Sequence, residues 1–140
     1  MKKLVAVLAL SLQAAAFAAT PATTALSNLI SEGTFSGKNG SEKCSVTITI
    51  NENSAGITVS NKYTTSSFAL VNSSNFVSVN EVTGAIAAKT SLNSPFYLNG
   101  GTLILSVNPT ENTIDFTIST IALDHRGNDA STYAACSILN

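Results

Sequence analysis

Between Gly33 and Leu139 the apolar residues recur at every second position. The clearest run is 44–50, where Cys44, Val46, Ile48 and Ile50 alternate with Ser45, Thr47 and Thr49. A period of two places alternate side chains on opposite faces, so one face is buried and the other wet. The same period predicts strands over 34–37, 56–60, 63–71, 75–80, 85–90, 102–108, 113–120 and 131–139, with a short segment at 95–98. Their inward residues include Ile57, Val59, Phe68, Leu70, Leu103, Leu105, Ile114, Phe116 and Ile118. Turn residues fall between them: Asn39-Gly40, Asn51 to Ala55, Glu81 to Gly84, Asn108-Pro109, and Asp124 to Asp129. Asn99-Gly100-Gly101 reads as a hairpin turn, since Asn and Gly accept positive φ.

Two segments break the period. Thr24 to Glu32 carries Leu26, Leu29 and Ile30 at i, i+3, i+4 spacing, with Thr23 or Thr24 to cap it and Gly33 to end it. That predicts one short helix, held only if its stripe packs on the domain. Ahead of it, Lys2 and Lys3 precede the apolar run Leu4–Leu12, and small residues follow up to Ala16-Phe17-Ala18. Positive start, apolar core and an A-x-A exit make a secretory signal peptide cut after Ala18. The run is shorter than the roughly 20 residues of a membrane span. The expected organisation is therefore a signal peptide at 1–18, a leader and short helix at 19–32, and a β domain at 33–140.

About 120 mature residues suit one domain with one core. Eight or nine short strands joined by hairpins predict an all-β antiparallel meander. A closed barrel hides both edges of such a sheet, so it is favoured over a two-sheet sandwich. The only cysteines, Cys44 and Cys136, should pair in an oxidising compartment. Closing so long a loop contributes up to about 4–5 kcal/mol in the chain-entropy description. It also brings the first long strand beside the last.

Charge narrows the function classes. Losing Lys2 and Lys3 leaves five basic residues against eight acidic, a net charge near −3. No basic face follows from that, which excludes a phosphate-tracking nucleic-acid binder. No later stretch reaches spanning length, so no membrane span is expected in the mature chain. Asn39-Gly40-Ser41 and Asn72-Ser73-Ser74 have the form of glycosylation sequons, relevant only in a eukaryotic host.

The chemistry-bearing residues are few. His125 is the sole histidine, within Asp124-His125-Arg126-Gly127-Asn128-Asp129. No Gly-x-Ser-x-Gly elbow accompanies it, so no catalytic residue is assigned. One histidine and a paired cysteine set leave no zinc site. Asp124, Asn128 and Asp129 offer oxygens, but their spacing misses the calcium loop pattern, so no metal and no cofactor are expected. A candidate binding loop is instead drawn from Phe96, Tyr97 and Leu98, bulky apolar residues beside a hairpin tip, and from Asp124, His125 and Arg126.

Gly33-Thr34-Phe35-Ser36-Gly37, a cysteine strand soon after it, and a second cysteine near the C-terminus form one layout. It resembles the small exported β-barrels of the lipocalin-like and lysozyme-inhibitor type. The chain lacks the Ser-Gly-x-x-Tyr-type loop of those inhibitors and, having no Trp, the Gly-x-Trp opening of lipocalins. The resemblance implies a barrel and a binding role. The expectation is an exported, periplasmic or secreted, non-enzymatic binding protein. Its partner would be a small apolar ligand or an envelope or extracellular protein. A structural or adhesive surface subunit is the alternative, and a small hydrolase built on His125 ranks behind both.

Overall fold

The computed structural model describes residues 20–73, 77–94 and 97–140, with backbone alone for 90–94 and 97–99. The expected signal peptide lies outside the described residues. One helix, α1 (Ala22–Leu29), precedes nine strands: β1 (Gly33–Asn39), β2 (Glu42–Ile50), β3 (Ser54–Asn61), β4 (Thr65–Val71), β5 (Val77–Val79), β6 (Ile86–Ser94), β7 (Tyr97–Asn108), β8 (Thr113–Ile121) and β9 (Thr132–Leu139).

The strands form one antiparallel sheet in the order β4-β3-β2-β1-β9-β8-β7-β6-β5. Two meanders, β1–β4 and β5–β9, join where Gly37 and Lys38 pair with Ile138 and Ser137. The sheet curls until β4 packs across the core against β8 and β9. The result is a nearly closed barrel. Its seam lies between β4 and β5, consecutive in the chain but not hydrogen-bonded neighbours.

Period-two patterning is what fills the inside. Val46, Ile48, Ile57, Val59, Leu70, Leu103, Leu105, Phe116 and Ile118 are all essentially inaccessible to solvent. Each such side chain contributes about 1.5–3 kcal/mol on burial. Several outward positions of β1–β4 carry hydroxyls that pair across strands. Thr34 meets Thr47 at 3.0 Å, and Thr58 meets Ser67 at 2.9 Å.

The Cys44–Cys136 disulfide joins β2 to β9, with Cα atoms 5.8 Å apart. β1 lies between those strands, and Gly37 pairs with both Cys44 and Ile138. The bridge passes Gly37 so closely that a Cβ there would sit 2.8 Å from Cys136 Sγ. Only a residue without a side chain fits beneath the bridge.

α1 covers the seam at one end of the barrel. It starts earlier than the sequence suggests, at Ala22 rather than Thr24, and it ends at Leu29. Pro21 takes the N-cap position, where its fixed φ suits a helix start. Thr23 and Thr24 therefore fall inside the helix and do not cap it. The Thr23 N–H is instead satisfied by Asn72 Oδ1 at 3.0 Å, and Asn72 Nδ2 donates to Thr23 Oγ1 at 2.8 Å. Glu52 O accepts from both side chains. On the other flank Thr20 Oγ1 donates to Glu81 Oε1 at 2.9 Å, and Leu29 packs on Gly84. Gly33 does not end the helix: Ile30 is already extended, so the chain leaves α1 as strand.

The expected hairpin turn at Asn99-Gly100-Gly101 is a second correction. Those residues run within β7, Gly100 opposite Ser91 and Gly101 opposite Thr90. The β6–β7 ladder extends as far as the Ser94–Tyr97 pair. Glycine can remain extended when a tertiary ladder holds both sides, as β6 and β8 do here.

Candidate functional site

Register assigns the loops to two ends. β7 meets β8 at Gly100 and Ile121, so the start of β7 and the 122–131 loop lie at the same end. Thr132, which follows that loop, shares a 2.6 Å hydroxyl contact with Ser66 of β4, so the β3–β4 turn is at this end too. α1 and the β2–β3, β5–β6 and β7–β8 turns occupy the other. The first residues of β7 and the 122–131 loop, far apart in sequence, thus lie at one end of the barrel. Tyr97 and Leu98 are the first residues of β7, backbone-paired with Ser94 and Asn93. Phe96 and the side chains of Tyr97 and Leu98 lie outside the described residues.

The floor of this loop end is polar. Ser66, Thr120 and Thr132 continue the inward parity of Phe68, Ile118 and Ala134. Thr132 Oγ1 lies 2.6 Å from the hydroxyls of both Ser66 and Thr120, and the Thr132 N–H donates to Thr120 Oγ1 at 3.1 Å. Ser66 is buried. Sequence reasoning missed this trio, although its signal was available: the alternation carries three hydroxyls onto the core face at one end. They hydrogen-bond to one another, which satisfies these hydroxyls where the core meets the loop end.

The 122–131 loop is built by its own acid groups. Asp124 Oδ1 accepts from the N–H groups of Arg126 at 2.8 Å and Asn128 at 2.9 Å, and Asp124 Oδ2 accepts from Asn128 Nδ2 at 3.0 Å. Gly127, at φ 80°, makes the reversal that L side chains avoid. Asp129 Oδ1 accepts from the Ser131 N–H at 2.9 Å. Hydrogen bonding favours the charged form. The Asn128 side-chain amide first, then backbone N–H groups, hold Asp124 below the ordinary carboxylate value. Ser131 does the same for Asp129, through its side chain and its N–H. Both Asp124 oxygens are thereby engaged in shaping the loop. His125 and Arg126 sit exposed at its tip.

Around this end several large apolar side chains stand in solvent. Ile121 is 65% exposed and Tyr133 60%. They are diagonal neighbours on the outer face, because Ser119 pairs with Tyr133. Leu123 in the 122–131 loop and Tyr63 in the β3–β4 turn are also exposed at this end, Tyr63 with Lys62 Nζ 5.2 Å from its ring centre.

A concave feature lies on the outer wall, away from the loop end. It is a groove of about 710 Å³ where β1 and β2 meet β9 and the β7–β8 turn. Lys38, Lys43, Glu111, Thr113, Ser137 and Leu139 line it. Lys38 and Lys43 are direct cross-strand partners.

Among the described residues, no helix is long and apolar enough to cross a membrane. No family model, no curated protein and no solved structure matches this chain.

Proposed function

We propose that this chain is an exported, non-enzymatic binding protein that engages a partner protein through the loop end of its barrel. The observation that carries this reading is the pairing of a filled interior with an apolar exterior at one end. Inward side chains from β2, β3, β4, β6, β7, β8 and β9 form one core cluster, joined by Leu26 of α1. A barrel packed in this way favours external binding over the small apolar ligand held inside that lipocalin-like architecture suggests. Exposed Ile121, Leu123 and Tyr133 flank the loop carrying His125 and Arg126. Apolar and aromatic anchors with an adjacent arginine are the residue types that dominate protein contacts. The signal-peptide pattern and the Cys44–Cys136 bridge support periplasm or medium as its place of work. The likeness in layout to exported lysozyme inhibitors makes an inhibitor-like role the natural form of such binding.

The test is affinity capture with the mature, oxidised chain, comparing the natural protein with Ile121→Asp/Tyr133→Ala. A specific partner held by the former and lost by the latter is the expected result. Recovery of a tightly bound lipid, with no protein, overturns the proposal in favour of an internal ligand.

A surface-subunit reading is favoured by one feature. β4 is an edge strand of seven residues, Thr65–Val71, with neither charge nor proline along it. Edges of that kind accept added strands. Self-association abolished by Ala69→Pro, in size-exclusion chromatography with light scattering, would select this reading.

A further inference from the structure

The groove on the outer wall carries an inference independent of the loop end. Lys38 of β1 and Lys43 of β2 occupy directly opposed positions on the solvent face. On its other side Lys38 faces Ser137 of β9, so neither cross-strand neighbour of Lys38 is a carboxylate. Glu42 sits one position before Lys43 and, by strand parity, points to the opposite face. Like charges directly opposed across strands are unfavourable. The mature chain has only five basic residues, Lys38, Lys43, Lys62, Lys89 and Arg126, in a molecule of net negative charge. Two of the five therefore form an unfavourable pair, and that pair lines a groove. An arrangement that the fold does not need for stability concentrates positive charge for an anion.

The rest of the groove says what the anion is attached to. Ser36, Thr113 and Ser137 present hydroxyls, Leu139 presents an exposed apolar surface, and Glu111 stands on the wall formed by the β7–β8 turn. Asp115 lies one strand beyond Ser137 in the same rank and takes a hydrogen bond from Thr113 Oγ1 at 3.2 Å. An acidic peptide long enough to fill the groove would set further carboxylates against Glu111 and Asp115. A sugar chain instead offers hydroxyls, which donate to carboxylates and exchange hydrogen bonds with Ser and Thr. The apolar face of a pyranose ring has Leu139 to rest on.

We propose that this groove binds an acidic polysaccharide, its sugar carboxylate held between Lys38 and Lys43 and its hydroxyls received by Ser36, Thr113, Ser137 and Glu111. A glycan of the cell envelope or the extracellular matrix has this chemistry. Binding here tethers the protein to such a surface and leaves the loop end free.

The experiment titrates the mature, disulfide-bonded chain with a short oligogalacturonate at low salt, following backbone amide shifts by NMR. A neutral oligosaccharide of equal length and inorganic phosphate are run beside it. The expected result is saturable binding of the uronate with shifts confined to 36–45, 111–115 and 137–139. Lys38→Ser/Lys43→Ser should weaken it about tenfold or more, while Lys62→Ser/Lys89→Ser, with the same change in net charge, changes it by about twofold or less. A matching melting temperature and an intact disulfide establish that the first variant is folded. No binding of the uronate overturns the proposal. So does equal weakening by both double variants, which signifies diffuse charge attraction. Phosphate binding as tight as the uronate also overturns it, because the sugar body then contributes nothing.

Discussion

At the scale of single residues, a few positions hold the two meanders together. Gly37 is the sharpest case. A methyl group there would collide with the Ser137 carbonyl oxygen and lie 2.9 Å from Ile138 Cγ2, besides meeting the disulfide. The obstruction is backbone on one side and a covalent bridge on the other, so neither can yield cheaply. Gly37→Ala is expected to cost about 1–3 kcal/mol, the usual range for overpacking a well-filled site. Urea unfolding at neutral pH measures it, and an unchanged midpoint would contradict the close-approach account. Asn72 is a second such position, because its side chain caps α1 from the end of β4. Asn72→Ala removes those hydrogen bonds and leaves the Thr23 N–H part-buried without its acceptor. A loss of about 1–2 kcal/mol follows. Amide exchange in 22–29 should quicken selectively, whereas uniform quickening would show that Asn72 supports the barrel rather than the helix.

At the scale of elements, the 122–131 loop gives a pH signature. The folded carboxyl of Asp124 is held below its ordinary value, so the folded loop binds fewer protons than the unfolded chain in acid. Its contribution is complete above the ordinary carboxylate value and is lost as the pH falls through the lowered one. The carboxyl carbon of Asp124, followed by NMR, should titrate with a midpoint below about 3.9, the unperturbed aspartate value. The amides of Arg126 and Asn128 should shift over the same window. A midpoint at or above the unperturbed value would mean that the loop forms without this carboxylate. The helix and the β6–β7 hairpin carry a related lesson. Local signals named the right kind of element at 24–32, whose bounds moved to 22–29, but the turn expected at 99–101 is strand. Thr23 left its capping role once Asn72 supplied a better-placed acceptor, and the glycines entered a strand once two neighbouring strands held them extended.

At the scale of the whole molecule, closure rests on contacts of long sequence separation. β1 and β9 pair although their residues are about 100 positions apart, and the disulfide spans 92. Such pairing must pay its loop-closure entropy before any contact rewards it, which slows folding. Reduction of Cys44–Cys136, or the double change Cys44→Ala/Cys136→Ala, is expected to cost about 2–4 kcal/mol. It should also slow refolding, because the chain ends must then find each other unaided. Stopped-flow refolding of oxidised and reduced protein compares the two, and equal rates would place the β1–β9 contact after the rate-limiting step. The filled interior belongs to this scale as well. It is the property that turns attention from a ligand inside the barrel to the loop end and the outer groove.

Much of the architecture was legible in order. The alternation from Cys44 to Ile50, and its echoes through Phe116 and Ile138, predicted the strands and their inward faces, because a period of two admits only one buried side. The cysteine pair predicted that start and end are neighbours, because the sequence offers neither thiol another cysteine to pair with. Half of the candidate site was likewise visible in composition, as the Asp124–Asp129 cluster. The remainder was decided only in three dimensions. Parity says that Ser66, Thr120 and Thr132 face inward, but not that they meet. Spacing cannot show that Lys38 opposes Lys43 across a groove, nor that β4 and β5 stay apart under α1. Patterning records which side of its own strand a residue takes; register, curl and closure determine which other strand it then meets.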